Sequence, residues 1–148
     1  MTAKFAGLIG LLLLTGCAGS RQTAENPALQ PWVGMWQGLA LQESRQDQPR
    51  QWSLVLAVKN GRLRGFMSDD IGEMRRKRLE DLKIVDDELH FKVFYETTRG
   101  LHMICAHRAK LQDGNTLLSL FEGSEGGRAL AGKWEARRMV LAPAQKME

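Results

Sequence analysis

From Arg50 to Ala142 the chain contains no proline, and along this stretch apolar and polar residues largely alternate. Alternation at period two marks strands with one buried face. Turn dipeptides recurring about every 8–14 residues predict an antiparallel meander rather than crossover units. Asn60-Gly61 is the strongest of these turns, because both central positions of a type I′ hairpin need left-handed backbone. Folding the chain there sets Val58 against Leu63, Leu56 against Gly65 and Leu54 against Met67, all on one face. A two-residue turn at Asp86-Asp87 likewise pairs Ile84 with Leu89 and Leu82 with Phe91, with Asp81 opposite Lys92 on the other face.

Two further turns extend the pattern. A three-residue loop at Thr98-Arg99-Gly100 sets Tyr95 against Met103, Val93 against Cys105 and Phe91 against His107. A turn at Asp113-Gly114 sets Ala109 against Leu118 and His107 against Leu120. Eight strands are predicted: Gly34–Gln42, Gln51–Lys59, Arg62–Asp69, Lys77–Val85, Glu88–Thr97, Leu101–Gln112, Asn115–Glu122 and Ala129–Met139. Met74 to Leu82 lacks helical spacing and predicts no helix. Long antiparallel strands in sequence order with one apolar face close most readily into an up-and-down barrel, which leaves no free edge; an open bent sheet or a two-sheet sandwich is the alternative.

The first and last predicted strands carry Gly34-Met35-Trp36 and Gly132-Lys133-Trp134, the latter followed by Arg137-Arg138. Over about residues 32–141 this resembles the lipocalin-type (calycin) pattern of an opening G-x-W and a closing arginine. The resemblance implies an eight-stranded lipocalin-like barrel in which Trp36 plugs one end and Arg137 or Arg138 packs across its indole. The further motifs and disulfides of true lipocalins are missing, which places the chain nearer to small bacterial lipocalin-like domains.

The inner face so derived is mostly apolar, and an eight-stranded barrel is wide enough either to fill with its own side chains or to hold one small ligand. Candidate ligand-binding residues are Met67, Phe91, Tyr95, Met103, Cys105, His107 and Trp134, with Tyr95 and His107 as the polar groups that would orient an amphipathic molecule. No cofactor is implied, and neither metal nor nucleophilic chemistry is expected. His102 and His107 differ in parity along one strand and so face opposite ways, while His90 lies on the outer parity of another. Cys105 has His107 two residues away but no third orienting carboxylate.

The N-terminus adds a compartment. Lys4, an apolar run from Phe5 to Leu14, and then Thr15-Gly16-Cys17 resemble a bacterial lipoprotein signal ending at a lipid-accepting cysteine. The run is well short of the roughly 20 residues of a spanning helix. The resemblance implies a signal peptide at 1–16, acylation of Cys17, and a domain held at a membrane by several acyl chains such as palmitate. Ala18 after the cysteine favours the periplasmic face of the outer membrane over the inner membrane. Residues 17–31, small and polar with Pro27 and Pro31, form a tether of about 20 Å reach; the barrel domain is expected at 32–142 and a tail at 143–148.

Charge changes the picture little. The net charge is +4 over 148 residues, and the cations are scattered except in Arg75-Arg76-Lys77-Arg78, a candidate contact for an anionic surface. So mild an excess does not argue for nucleic acid. Two classes of function remain: a membrane-anchored carrier of a small amphipathic ligand, or a non-catalytic accessory lipoprotein docking an envelope protein complex through its outer surface.

Overall fold

The computed structural model describes residues 26–140; the signal peptide, Cys17, most of the tether and the tail lie outside them. The fold is all-β. Nine strands form one antiparallel sheet: β1 (Gly34–Gln42), β2 (Arg50–Lys59), β3 (Arg62–Asp69), β4 (Lys77–Arg78), β5 (Glu80–Val85), β6 (Glu88–Glu96), β7 (His102–Asp113), β8 (Thr116–Glu125) and β9 (Arg128–Arg138). Single turns of 3₁₀ helix at Gln30–Trp32 and Glu43–Arg45 flank β1. The strand order is β4-β3-β2-β1-β9-β8-β7-β6-β5, so the first long strand pairs with the last and the sheet curls into a nearly closed barrel.

Most hairpin registers follow from the turn residues. Asn60 and Gly61 both take left-handed backbone, as do Asp86 and Asp87, and Val58↔Leu63, Leu56↔Gly65, Leu54↔Met67 and Ile84↔Leu89 pair accordingly. Gly100 supplies the left-handed position of the loop after β6, with Tyr95↔Met103, Val93↔Cys105 and Phe91↔His107 in register. Gly126 and Gly127 make a further turn of this kind and carry β8 on to Glu125, beyond the predicted end at Glu122.

Three expectations need correction. The predicted fourth strand divides into β4 and β5 at Leu79, whose N–H donates to the Gly65 carbonyl of β3. Asp81 then bulges out with φ +51°, so that Glu80 rather than Asp81 stands opposite Lys92. The ion pair survives the shift, with Lys92 Nζ 2.9 Å from Asp81 Oδ2. Finally, the turn expected at Asp113-Gly114 falls one residue later, at Gly114-Asn115, and none of these residues takes the left-handed backbone of a type I′ turn. The Asp113 carboxylate instead accepts from Asn115 N–H at 2.7 Å and Thr116 Oγ1 at 3.3 Å, and the ladder slips between Leu111 and Asp113. One residue of slip reverses every side chain of a strand. Ala109 therefore meets Ser119 and His107 meets Phe121, leaving Leu118 half-buried and Leu120 outside.

The interior is built in layers. At one end Trp36 is fully buried, its Nε1 donating to Trp32 O at 3.0 Å. The middle holds Leu54, Leu56, Met67, Leu89, Val93, Cys105, Leu117 and Trp134, packed to near-zero exposure. Trp134 Nε1 donates to Gly38 O at 3.1 Å, which ties β9 to β1. Trp32, at the expected start of the domain, is buried in the core, and Leu29 before it is half-buried.

Candidate functional site

The two barrel ends differ in chemistry. The end holding the turns at Asn60-Gly61, Asp86-Asp87 and Gly114-Asn115 is closed by Trp36, with the Arg138 guanidinium 4.2 Å from its ring centroid. Arg138 donates to Gly114 O at 3.0 Å and Pro31 O at 2.6 Å, and also to Val33 O. A planar, permanently charged fork suits this task, since one side of it covers an indole while its N–H groups reach three carbonyls. Gly34 makes room for it: its φ is +134°, and a Cβ there would lie 2.9 Å from Arg138 Nη1. Arg137 points elsewhere, donating to Thr116 Oγ1 at 3.0 Å.

Above the Trp36 layer, the centre of the barrel is an aromatic stack around His107. Its imidazole lies parallel to Phe91 at 4.6 Å, edge-on to Trp52 at 5.7 Å and tilted against Phe121 at 5.6 Å. Nδ1 stands 3.0 Å from Ser119 Oγ. Burial lowers the His107 pKa to about 3, and burial, followed by the charge of Glu125, pushes the Cys105 thiol up to about 12. Both groups are therefore neutral near neutral pH, His107 as imidazole and Cys105 as thiol.

The opposite end is open. A cavity of about 470 Å³ enters between the loop after β1, the loop after β3, the β6–β7 loop and the β8–β9 turn. Its floor is apolar: Trp52, Phe121, Met103 and Leu130, all buried, with Tyr95 on the wall. Burial raises the Tyr95 pKa, with Cys105 and nearby carboxylates adding to the effect, so the phenol stays protonated. Among the described residues its hydroxyl has no hydrogen-bond partner.

The rim is charged and cross-tied. Glu125, its side chain 12% exposed, receives Arg45 Nη2 at 3.0 Å and Arg99 Nη2 at 3.3 Å. Glu73 Oε1 accepts from Thr98 N–H at 3.0 Å and Thr98 Oγ1 at 2.9 Å, and Asp69 Oδ1 from Gly72 N–H at 2.8 Å. Bonds between different loops hold the entrance in one shape, so the cavity exists before any ligand arrives.

Of the seven residues expected to bind a ligand, Tyr95 and Met103 line this cavity. Met67, Phe91, Cys105, His107 and Trp134 sit in the packed layers beneath, with at most 2% exposure. Sequence reasoning missed Trp52, Leu130 and Phe121. The first two share parity with Leu54 and Trp134 and were open to the same alternation argument, whereas Phe121 was hidden by the slipped turn. The basic run lies at the open half of the barrel. Arg76 rests 4.0 Å over the Phe66 ring and Arg75 Nε donates to Gly72 O at 3.1 Å, while Lys77 and Arg78 pair with β3.

No family model matches the chain, and no curated protein matches it in sequence. Among solved structures, the EF1p2_mFAP2b protein bound to DFHBI superposes with a TM-score of 0.55 at 12% identity, over 76% of this chain and 97% of that one. A redesigned β-barrel gives 0.47 at 12% identity, over 76% and 96%. At such identity the first likeness establishes the barrel fold.

Proposed function

We propose that the protein is a lipid-anchored periplasmic lipoprotein that binds a small amphipathic molecule in the mouth of its barrel. One observation carries the reading: a preformed cavity of about 470 Å³ with an aromatic and aliphatic floor beneath a rim of arginines and carboxylates. The volume falls within the roughly 300–1,000 Å³ of small-molecule sites, and the lining divides by depth, with an apolar floor under walls and a rim that are mostly polar, which suits a ligand with a short apolar part and a polar head. The apolar part of the ligand rests on Trp52, Phe121, Met103 and Leu130, its polar head at the level of Arg45, Arg50 and Arg99. The free Tyr95 hydroxyl bonds a ligand oxygen. His107 acts from below as a support for the floor. That the superposed EF1p2_mFAP2b barrel holds DFHBI is in keeping with a barrel of this size receiving a small molecule.

The anchor gives the mouth a direction. The chain meets the barrel at its closed end, where Asn26 and Leu29 lie near Lys59 and Gly61, with residues 18–25 separating Asn26 from Cys17. Acylation of Cys17 on the outer membrane thus joins the bilayer to the closed end of the barrel, opposite the mouth and the basic run 75–78.

Titration with decanoate, followed by tryptophan fluorescence and by native mass spectrometry of detergent-free protein, tests the binding. Saturable 1:1 binding that quenches the wild type but weakens about tenfold in Tyr95→Phe is the expected result, the loss matching one hydrogen bond left unmade. A mouth that takes up neither decanoate nor decanol overturns the carrier reading. The accessory reading then gains weight from Phe94 and Ile104, a directly paired couple exposed on the outer face at 46% and 41%.

A further inference from the structure

Among the described residues the barrel has one seam, between β3 and β5. Beyond Leu79, whose N–H is the last link to Gly65 of β3, the chain of β5 diverges from β3. From there to the hairpin tips no strand of the described residues pairs with Arg62–Arg64 on the side away from β2, or with β5 on the side away from β6. A cleft of about 770 Å³ occupies the gap.

Two features of this cleft define what fits it. Its walls offer unpaired main-chain donors and acceptors, the template on which another extended segment adds as a strand. Its side chains are sorted by depth. Leu63, Leu82 and Ile84 pack toward the core, while Arg62, Arg64 and Lys83 stand exposed on the outer face. Of the anions in the cleft, Asp81 is already taken by Lys92, which leaves Glu80 against the cations, Lys59 and Arg78 included.

We infer that this seam is a β-augmentation site for an extended protein segment that alternates apolar and acidic residues, which adds to the free edge of β5. The apolar side chains of the segment enter against Leu63, Leu82 and Ile84 and complete the barrel wall. Its carboxylates face outward onto Arg62, Arg64 and Lys83. A basic or uniformly apolar strand satisfies only half of this arrangement. The site lies on the flank near the closed end and is independent of the mouth.

The probe is a seven-residue peptide alternating valine and glutamate, with a valine–lysine peptide as control, titrated into the whole protein and followed by fluorescence anisotropy and amide hydrogen exchange. Saturable binding of the glutamate peptide alone is expected, with new protection at the amides of Asp81–Val85 and decanoate binding unchanged. The double variant Arg64→Glu, Lys83→Glu alters exposed positions only. It should weaken the glutamate peptide about tenfold, as two exposed ion pairs predict, and bind the lysine peptide instead. Equal binding of both peptides, binding without protection in β5, or a dimer of the protein that the double variant dissociates would each overturn the inference, the last by assigning the seam to a second copy.

Discussion

Replacing Arg138 with alanine tests the closure of the barrel at its plugged end. The guanidinium covers Trp36 at 4.2 Å and donates to the carbonyls of Val33, Pro31 and Gly114. A cation over a partly desolvated indole contributes about 1 kcal/mol. A hydrogen bond from a charged donor contributes about 1.5 kcal/mol at the lower end of its range, the end that applies because water reaches Arg138 and can take over part of each carbonyl's bonding. Two effective bonds plus the ring contact give about 4 kcal/mol, which for a domain of this size lowers Tm by roughly 15 °C. Arg138→Lys keeps the charge but loses the fork and should recover less than half of this. Arg137→Ala is the internal control. Its guanidinium is largely exposed, lies 3.6 Å from an equally exposed Glu135 and donates a single bond to Thr116 Oγ1, so its loss shifts stability by no more than about 1.5 kcal/mol. Thermal denaturation followed by circular dichroism compares the three. Should the alanine variants at 137 and 138 melt within about 2 °C of each other, the closure argued from Arg138 is wrong.

Other perturbations probe the interior. Gly38→Ala would place a Cβ 1.8 Å from Glu135 O and 2.6 Å from Ala136 Cα, both main-chain atoms that cannot turn aside, so β1 must part from β9; loss of at least about 3 kcal/mol or insoluble expression is expected, measured by urea unfolding. His107 is pulled from 6.5 to about 3 by burial, so its neutral form contributes stability that is complete above pH 6.5 and declines as the pH falls toward 3. The slope should approach about 1.4 kcal/mol per pH unit below pH 6 and vanish in His107→Phe, as urea titrations between pH 4 and 7 would show. Cys105, 1% exposed and with its thiol near 12, should resist maleimide in the native state and react on unfolding. Unfolded protein from the envelope should then show one free thiol, and a count of two would exclude acylation of Cys17.

How much was legible depended on whether a turn announces its own backbone. Asn60-Gly61, Asp86-Asp87 and Thr98-Arg99-Gly100 did, and the register of three hairpins follows from them together with the inward set Leu54, Leu56, Phe91, Val93 and Cys105. Asp113-Gly114 looked alike but holds its shape through the Asp113 side chain, so β8 is turned over relative to the simple reading. The break at Leu79 was not visible, since it reflects where β3 ends its pairing rather than any breaker residue. The rim of the mouth was out of reach for a different reason. Arg45, Glu73, Arg99 and Glu125 lie far apart in sequence on loops with no periodicity, and only the closed barrel brings them together.

The pairing of β1 with β9 also governs the order of events in folding. Trp134 reaches the Gly38 carbonyl across 96 positions, and Arg138 reaches Val33 across 105. Hairpins of neighbouring strands form early because little chain entropy separates them, whereas this join requires nearly the entire domain to be present at once. A ribosome or translocation pore that still holds β9 therefore holds back the whole barrel, and truncations that remove β9 should behave as unfolded chains rather than as smaller barrels.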